Sequence, residues 1–184
     1  RDVAVTGVQT CALPIFYSGV PLRGVEVRID AEGQIHLRGP MLLRTYRNAP
    51  DPKDAEGWLA TGDLGEWVEH EGARRLSVHG RKGDLINTGG EKVWPGPVEN
   101  LLREHPAVDD VAVAGVADPE WGQRVVAYVV PKPGAEAPTL DSLRGIVKDA
   151  LAAYCAPRQL VIVETIPKTA VGKVRRAELV RTHH

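Results

Sequence analysis

The sequence predicts an α+β protein in two parts: a small β-subdomain over residues 16–79, then a compact α+β domain over residues 85–184. Three observations carry this. Before residue 80 the apolar residues alternate with polar ones in short runs bounded by turn chemistry. After residue 80, strand-like runs interleave with helix-like ones. One apolar stripe, over residues 140–151, advances in steps of three and four.

Taken in order, VEVRI (25–29), a turn at Ala31 to Gly33 and QIHLR (34–38) read as a hairpin. LGEWV (64–68), the polar turn EHEGA and RRLSV (74–78) repeat the arrangement. The β-subdomain reads as short of core, so it is expected to pack against something larger. Beyond Gly80, DLINT reads as a strand leading through a hairpin turn to a helix from Pro97 to Glu104. Pro97 suits the first turn, where its missing N–H costs nothing, and Glu99 suits the positive end of the helix dipole. Strands follow near 108–116 and 123–130, then PKPGAEAP (131–138) as a surface loop. The stripe Leu140, Leu143, Ile146, Val147, Ala150 and Leu151 describes one buried helix face, with Thr139 or Asp141 as its cap. QLVIVE (159–164) reads as a buried strand and Ala177 to Arg181 as a short closing helix.

Composition excludes several classes. A formal charge of -1 gives no long-range field for nucleic acid, although the last twelve residues, KVRRAELVRTHH, are locally basic. No apolar run reaches the roughly 20 residues of a membrane span, which makes a cytoplasmic setting, with no nucleic-acid or membrane partner, the expectation. Cys11 and Cys155 form no metal-ligand spacing and no disulfide framework, and six histidines show no HxxxH pattern, so no metal site is expected. Cys155, with no histidine near it in sequence, reads as a packed thiol.

Residues 1–15 stand apart. VTGVQTCALPI (5–15) is neither a periodic helix, an alternating strand nor a signal peptide. Written in codons it resembles, in frame, a widely used DNA sequencing adapter. The expectation is an assembly artefact joined to a real gene at about Phe16, and a truncated protein; an irregular N-terminal strand is the alternative.

Thr61, Gly62 and Asp63 fall where one strand pair gives way to the next. Followed by GRKGD (80–84), TGGEKVWPGPVE (88–99), DPEWGQRVVAYVV (118–130) and PKTAVGKVRR (167–176), they form an ordered set. Each alone is bland: a turn tripeptide, an interstrand turn, a pair of hairpin glycines, a lysine in a solvated tail. In this order and company they resemble the adenylate-forming enzymes, and within them the acyl-CoA ligases. The resemblance covers Phe16 to about Val180.

The resemblance implies roles. Asp63 would accept hydrogen bonds from both ribose hydroxyls of the adenylate, its two oxygens matching two adjacent donors. Arg81 would reach the ribose or phosphate with its fixed fork of donors. Lys82, Gly83 and Asp84 would form the hinge between a large N-terminal domain, of which residues 16–79 are the tail, and a mobile C-terminal lid. Many relatives carry Asp where Gly83 stands, which keeps rotation but removes an aspartate-specific contact. Gly89, Gly90 and Glu91 would line the path of the CoA pantetheine arm, where the absence of a Cβ lets backbone approach a ligand. Trp121 would lie near the CoA face, stacking on a base or sealing a strand edge. Lys173 would hold the acid's carboxylate and the α-phosphate during adenylation, easing the repulsion of two anions.

The implied activity is ATP-dependent: carboxylate plus ATP gives acyl-adenylate and pyrophosphate, then CoA gives thioester and AMP. The intact enzyme would use ATP, CoA, Mg2+ and a small-molecule acid; the fragment, lacking its N-terminal partner domain and phosphate-binding loop, is expected to hold none of them and to be inactive alone. A fatty-acyl or aryl CoA ligase and a carrier-protein-loading adenylation domain share most of these residues. From another class, an inert or weakly nucleotide-binding module also fits.

Overall fold

The computed structural model describes residues 17–184, so the artefact reading of residues 1–15, Cys11 and the junction at Phe16 lie outside the described residues. The chain divides into two compact units between Leu85 and Ile86.

The first unit is an antiparallel sheet. Its strands are β1 (Tyr17–Gly19), β2 (Glu26–Ile29), β3 (Gln34–Arg38), β4 (Leu59–His70) and β5 (Ala73–Arg81), ordered β1-β5-β4-β3-β2. In the β2–β3 turn the Asp30 carboxylate accepts the N–H groups of Glu32 and Gln34, doing locally what a backbone turn would do. The β4–β5 hairpin turns through Glu71 and Gly72, both at positive φ (52° and 73°), the geometry that matches the twist of the flanking strands. Both expected hairpins are present; the strands of the second run well beyond the alternating segments, those of the first do not.

The core of this sheet is thin. Ile35, Trp58, Leu59 and Leu64 are buried, whereas Val20, Leu22, Met41 and Tyr46 are exposed. Trp58 carries the guanidinium groups of Arg28 and Arg38 over its ring, each 4.6 Å from the centroid.

The second unit is built around two long strands, β8 (Val108–Asp118) and β9 (Gly122–Pro131), paired antiparallel along their length. Before them come β6 (Ile86–Thr88), β7 (Glu91–Val93) and α1 (Pro95–Arg103); after them come α2 (Leu140–Ala150), β10 (Gln159–Ile162) and α3 (Arg176–His183). β6 pairs β9 at its start, and β10 pairs it in parallel further along. Alternation along β9 sends Val125, Ala127 and Val129 to one core with α1 and α2. Val126 and Tyr128 face a second core with Val163, Ile166 and Leu179. Burial on both faces explains why VVAYVV reads as a continuous apolar run.

Several expectations change in detail. The first helix starts at Pro95, two residues earlier than read, so no acidic residue falls in its first turn and Glu99 does not serve the dipole. Thr139 is the cap of α2, its hydroxyl accepting the Ser142 N–H at 3.1 Å; Ala150, placed on the buried stripe, is exposed. QLVIVE is not a buried strand: β10 is half-buried, with Ile162 47% exposed, because among the described strands it pairs on one side only. Cys155 packs against the first core, as a thiol among apolar neighbours.

Candidate functional site

The TGD tripeptide is not the junction between strand pairs; it lies inside β4. Gln34 pairs with Leu64 and His36 with Ala60, so β4 takes four steps where β3 takes two, and residues 61–63 bulge from the ladder. The bulge is fastened on both sides. The Thr61 hydroxyl donates to the Ile35 carbonyl at 2.8 Å and accepts the Asp63 N–H at 3.0 Å. Across the sheet Asp63 pairs in register with Arg81, and Nε of Arg81 lies 2.8 Å from Oδ1 of Asp63. A second arm, Nη1, donates to the Thr61 carbonyl at 3.0 Å. Two residues nominated separately from the sequence thus form one charged edge, partly open to solvent.

The residues expected to form a hinge continue from it. Lys82, Gly83 and Asp84 form a single 3-10 turn immediately before the division of the chain, and Lys82 Nζ reaches Oε1 of Gln34 at 3.4 Å. Gly83 does not use glycine's conformational range here: its φ is ordinary and a Cβ on it would meet nothing within 4 Å. The positive φ in this segment belongs to Gly80, at 150°.

In the second unit Gly89 and Gly90 make the β6–β7 turn at φ 60° and 86°. Gly89 donates its N–H to the Trp121 carbonyl at 2.9 Å, and a Cβ on Gly89 would stand 2.6 Å from Cε3 of the Trp121 ring. The Arg158 guanidinium sits 4.0 Å from that ring's centroid. Asp118 fixes the turn carrying the tryptophan by accepting the N–H groups of Glu120 and Trp121. The Trp121 N–H foremost, aided by Glu120 and Arg124 against burial, holds the Asp118 carboxyl below the usual carboxylate range. Glu91, the next residue of the hairpin, is exposed.

Lys173 sits on a hairpin of its own. Lys168 and Val174 bridge antiparallel, Thr169 N–H donates to the Lys173 carbonyl at 2.8 Å, and Gly172 N–H donates to the Thr169 carbonyl at 2.9 Å. Gly172, at φ 80°, takes the left-handed position that a three-residue hairpin loop requires. The stem is tied down: Lys168 Nζ lies 2.6 Å from Oδ2 of Asp110, and Arg175 N–H donates to the Pro167 carbonyl. The tip is open, with Lys173 exposed and its ammonium without a partner among the described residues.

The structure therefore joins Asp63 to Arg81 and Gly89 to Trp121, and places Lys173 apart from the latter pair. Asp110 and Asp118, the anchors of the lysine hairpin and of the glycine turn, are eight residues apart on β8, about 26 Å at strand rise. No motif signals Arg158 on Trp121 or the ion pair of Glu99 with Arg176; both join segments distant along the chain.

Residues 97–173 match the family model of the AMP-binding enzyme C-terminal domain. A probable 2-succinylbenzoate--CoA ligase from Mycobacterium tuberculosis is 47% identical over 167 residues, covering 90% of this chain and 43% of that protein. Residues 97–173 thus form an AMP-binding enzyme C-terminal domain. A 2-succinylbenzoate--CoA ligase from Listeria monocytogenes is 39% identical over 169 residues, with 90% and 35% covered. Among solved structures, o-succinylbenzoate CoA synthetase from Bacillus subtilis, in complex with its acyl-adenylate intermediate, superposes with a TM-score of 0.76 at 32% identity, over 89% of this chain and 35% of that one. An amide bond synthetase from Marinactinospora thermotolerans gives the same TM-score at 34% identity, over 91% and 36%. The chain spans less than half the length of these adenylate-forming relatives.

Proposed function

We propose that the chain is the C-terminal part of an ATP-dependent acyl-CoA ligase acting on 2-succinylbenzoate, in the cytoplasmic pathway to menaquinone. Residues 16–29, 36–47 and 89–99 carry the sequence resemblance to that ligase, and relatives of that name are similar over nine tenths of the chain. The observation that carries the reading is Lys173: a solvent-facing ammonium at the tip of a hairpin whose stem is fastened. A carboxylate and a phosphate repel each other as they approach, and a positioned cation offsets that repulsion while stabilising charge on the transferring group.

Asp63 and Arg81 fit the nucleotide. The carboxylate suits vicinal hydroxyls and the guanidinium, braced by Thr61, suits ribose or phosphate oxygens. The Mg2+ that accompanies ATP is assigned to no residue here. Gly89, Gly90, Glu91 and Trp121 would line the thiol's approach, and Lys82 to Asp84 would be the hinge. Because the lysine hairpin is closed, Lys173 cannot simply swing away after adenylation. With anchors about 26 Å apart on one rigid sheet, the lysine and the glycine turn serve one reacting centre only in succession, by rotation of the whole second unit.

A long-chain-fatty-acid--CoA ligase from Bacillus subtilis is 38% identical over 159 residues, so a panel of acids on the full-length protein checks the substrate. For the mechanism, Lys173→Ala in the full-length protein should slow acid-dependent ATP–pyrophosphate exchange by about 10²–10³-fold. It should leave thioester formation from supplied acyl-adenylate unchanged. Equal loss in both half-reactions would refute the reading.

A further inference from the structure

We infer that Glu99 and Arg176 are positioning residues for Lys173, a strap that sets where its hairpin stands on the second unit; this rests on the reading of Lys173 given above. The geometry starts at the edge of the sheet. β8 pairs with β9 along one edge, and no described strand covers the other. Buried backbone groups on such an edge must find partners. At Val113, itself fully buried, side chains supply them. Glu99 of α1 accepts the Val113 N–H through Oε1 at 2.8 Å, and Arg176 of α3 donates from Nε to the Val113 carbonyl at 3.0 Å. The circle closes between the two, with Arg176 Nη2 2.7 Å from Oε1 of Glu99. Both are largely withdrawn from water, the Glu99 side chain 9% and the Arg176 side chain 19% exposed.

Position makes this more than an edge cap. α1 belongs to the core on one face of the sheet and α3 to the core on the other, so the pair reaches round the strand edge and joins them. Arg176 opens α3, three residues beyond Lys173, while Lys168 on Asp110 holds the other leg of the same hairpin. The lysine is thus carried between two charged anchors spaced along β8, at Asp110 and Val113, and among the described residues its own ammonium makes no contact that would fix it. Displacement of the Arg176 leg shifts the tip without touching the glycine turn, which is tied to Asp118 and Trp121 at the far end of the strand. A guanidinium is needed at 176 because one rigid fork meets both the carbonyl and the carboxylate; an ammonium reaches one of them.

The test uses the full-length enzyme with Glu99→Gln, which keeps shape and an acceptor oxygen but removes the charge, and Arg176→Lys, which keeps the charge but loses the fork. Both should lower the turnover of acid-dependent ATP–pyrophosphate exchange by about 10²-fold, the scale of a misplacement near 1 Å, with little change in the KM for ATP. Thioester formation from supplied acyl-adenylate should stay at the wild-type rate, which also shows the domain folded. In a Lys173→Ala background neither change should slow exchange further, since both act through that lysine. The inference is overturned by equal loss of both half-reactions in both variants, by unaltered exchange, or by losses that multiply in the Lys173→Ala background. If Lys173→Ala itself leaves exchange intact, the functional reading fails. If it abolishes exchange while Glu99→Gln and Arg176→Lys are silent, only the strap fails.

Discussion

Tyr128 illustrates how a residue can strain a core without leaving a mark in sequence. It is fully buried on β9, its ring 5.8 Å from that of His183 and 6.1 Å from that of His184, and its hydroxyl has no partner among the described residues. Burial pushes its pKa up to about 12 from an ordinary 10.0, with Arg124 pulling modestly the other way. Below pH 10 both folded and unfolded chains keep the proton and stability is undiminished. Between pH 10 and about 12 only the unfolded chain releases it, so stability falls as pH rises. Tyr128→Phe should remove the unsatisfied hydroxyl, raise stability at pH 7 by about 1 kcal/mol and flatten that alkaline decline. Urea unfolding at pH 7 and pH 11 reads both; a destabilised variant with an unchanged alkaline limb would show that the hydroxyl has a partner. At this scale the sequence was legible where one motif held the residue. Asp63, Arg81 and Lys173 were nominated by their neighbours, but the Asp63–Arg81 contact follows from cross-strand register between β4 and β5, which no single motif contains. Glu99 was misread because its helix begins two residues early, leaving its carboxylate to Val113 and Arg176.

The element that best connects backbone conformation to packing is the β6–β7 turn. Gly89 and Gly90 both hold positive φ, so alanine at either carries a backbone cost of about 1–2 kcal/mol. Only Gly89 also faces the Trp121 ring, 2.6 Å from where a Cβ would stand; Gly90 faces open space. Gly89→Ala should therefore lower the melting temperature more than Gly90→Ala, and the excess should vanish in a Trp121→Ala background, where the ring is gone. Thermal melts of the five variants decide it, and equal losses at both glycines would mean the tryptophan does not pack as described. Elements whose signals are local were readable: the two-residue turns, the threonine cap of α2, the amphipathic stripe. β10 was not, because a short apolar run looks alike whether two neighbours flank the strand or one. The bulge at residues 61–63 was also hidden, since an extra step in one strand is visible only against its partner.

For the whole molecule, the contrast between the two units is the deciding property. The unit Ile86–His184 encloses two apolar cores, one on each face of β8 and β9, and covers them with α1, α2 and α3. The unit ending at Leu85 buries few large side chains and leaves Val20, Leu22, Met41 and Tyr46 to solvent. Hydrophobic burial is what offsets chain entropy, at roughly 25 cal/mol per Å² of apolar surface, so the two units differ in their ability to fold alone. The difference lies in burial and not in composition, since large apolar residues are about as frequent before Gly80 as after it; what the first unit lacks, among the described residues, is a second layer to bury them against. Residues 86–184 prepared alone should give a single cooperative thermal transition with native helix content and dispersed amide resonances. Residues 17–85 alone should show none, and should expose apolar surface to a hydrophobic dye. A cooperative transition in the shorter piece would mean that its thin sheet suffices. Absence of one in residues 86–184 would remove the rigid body on which the presentation of Lys173 and of the glycine turn, one after the other, depends.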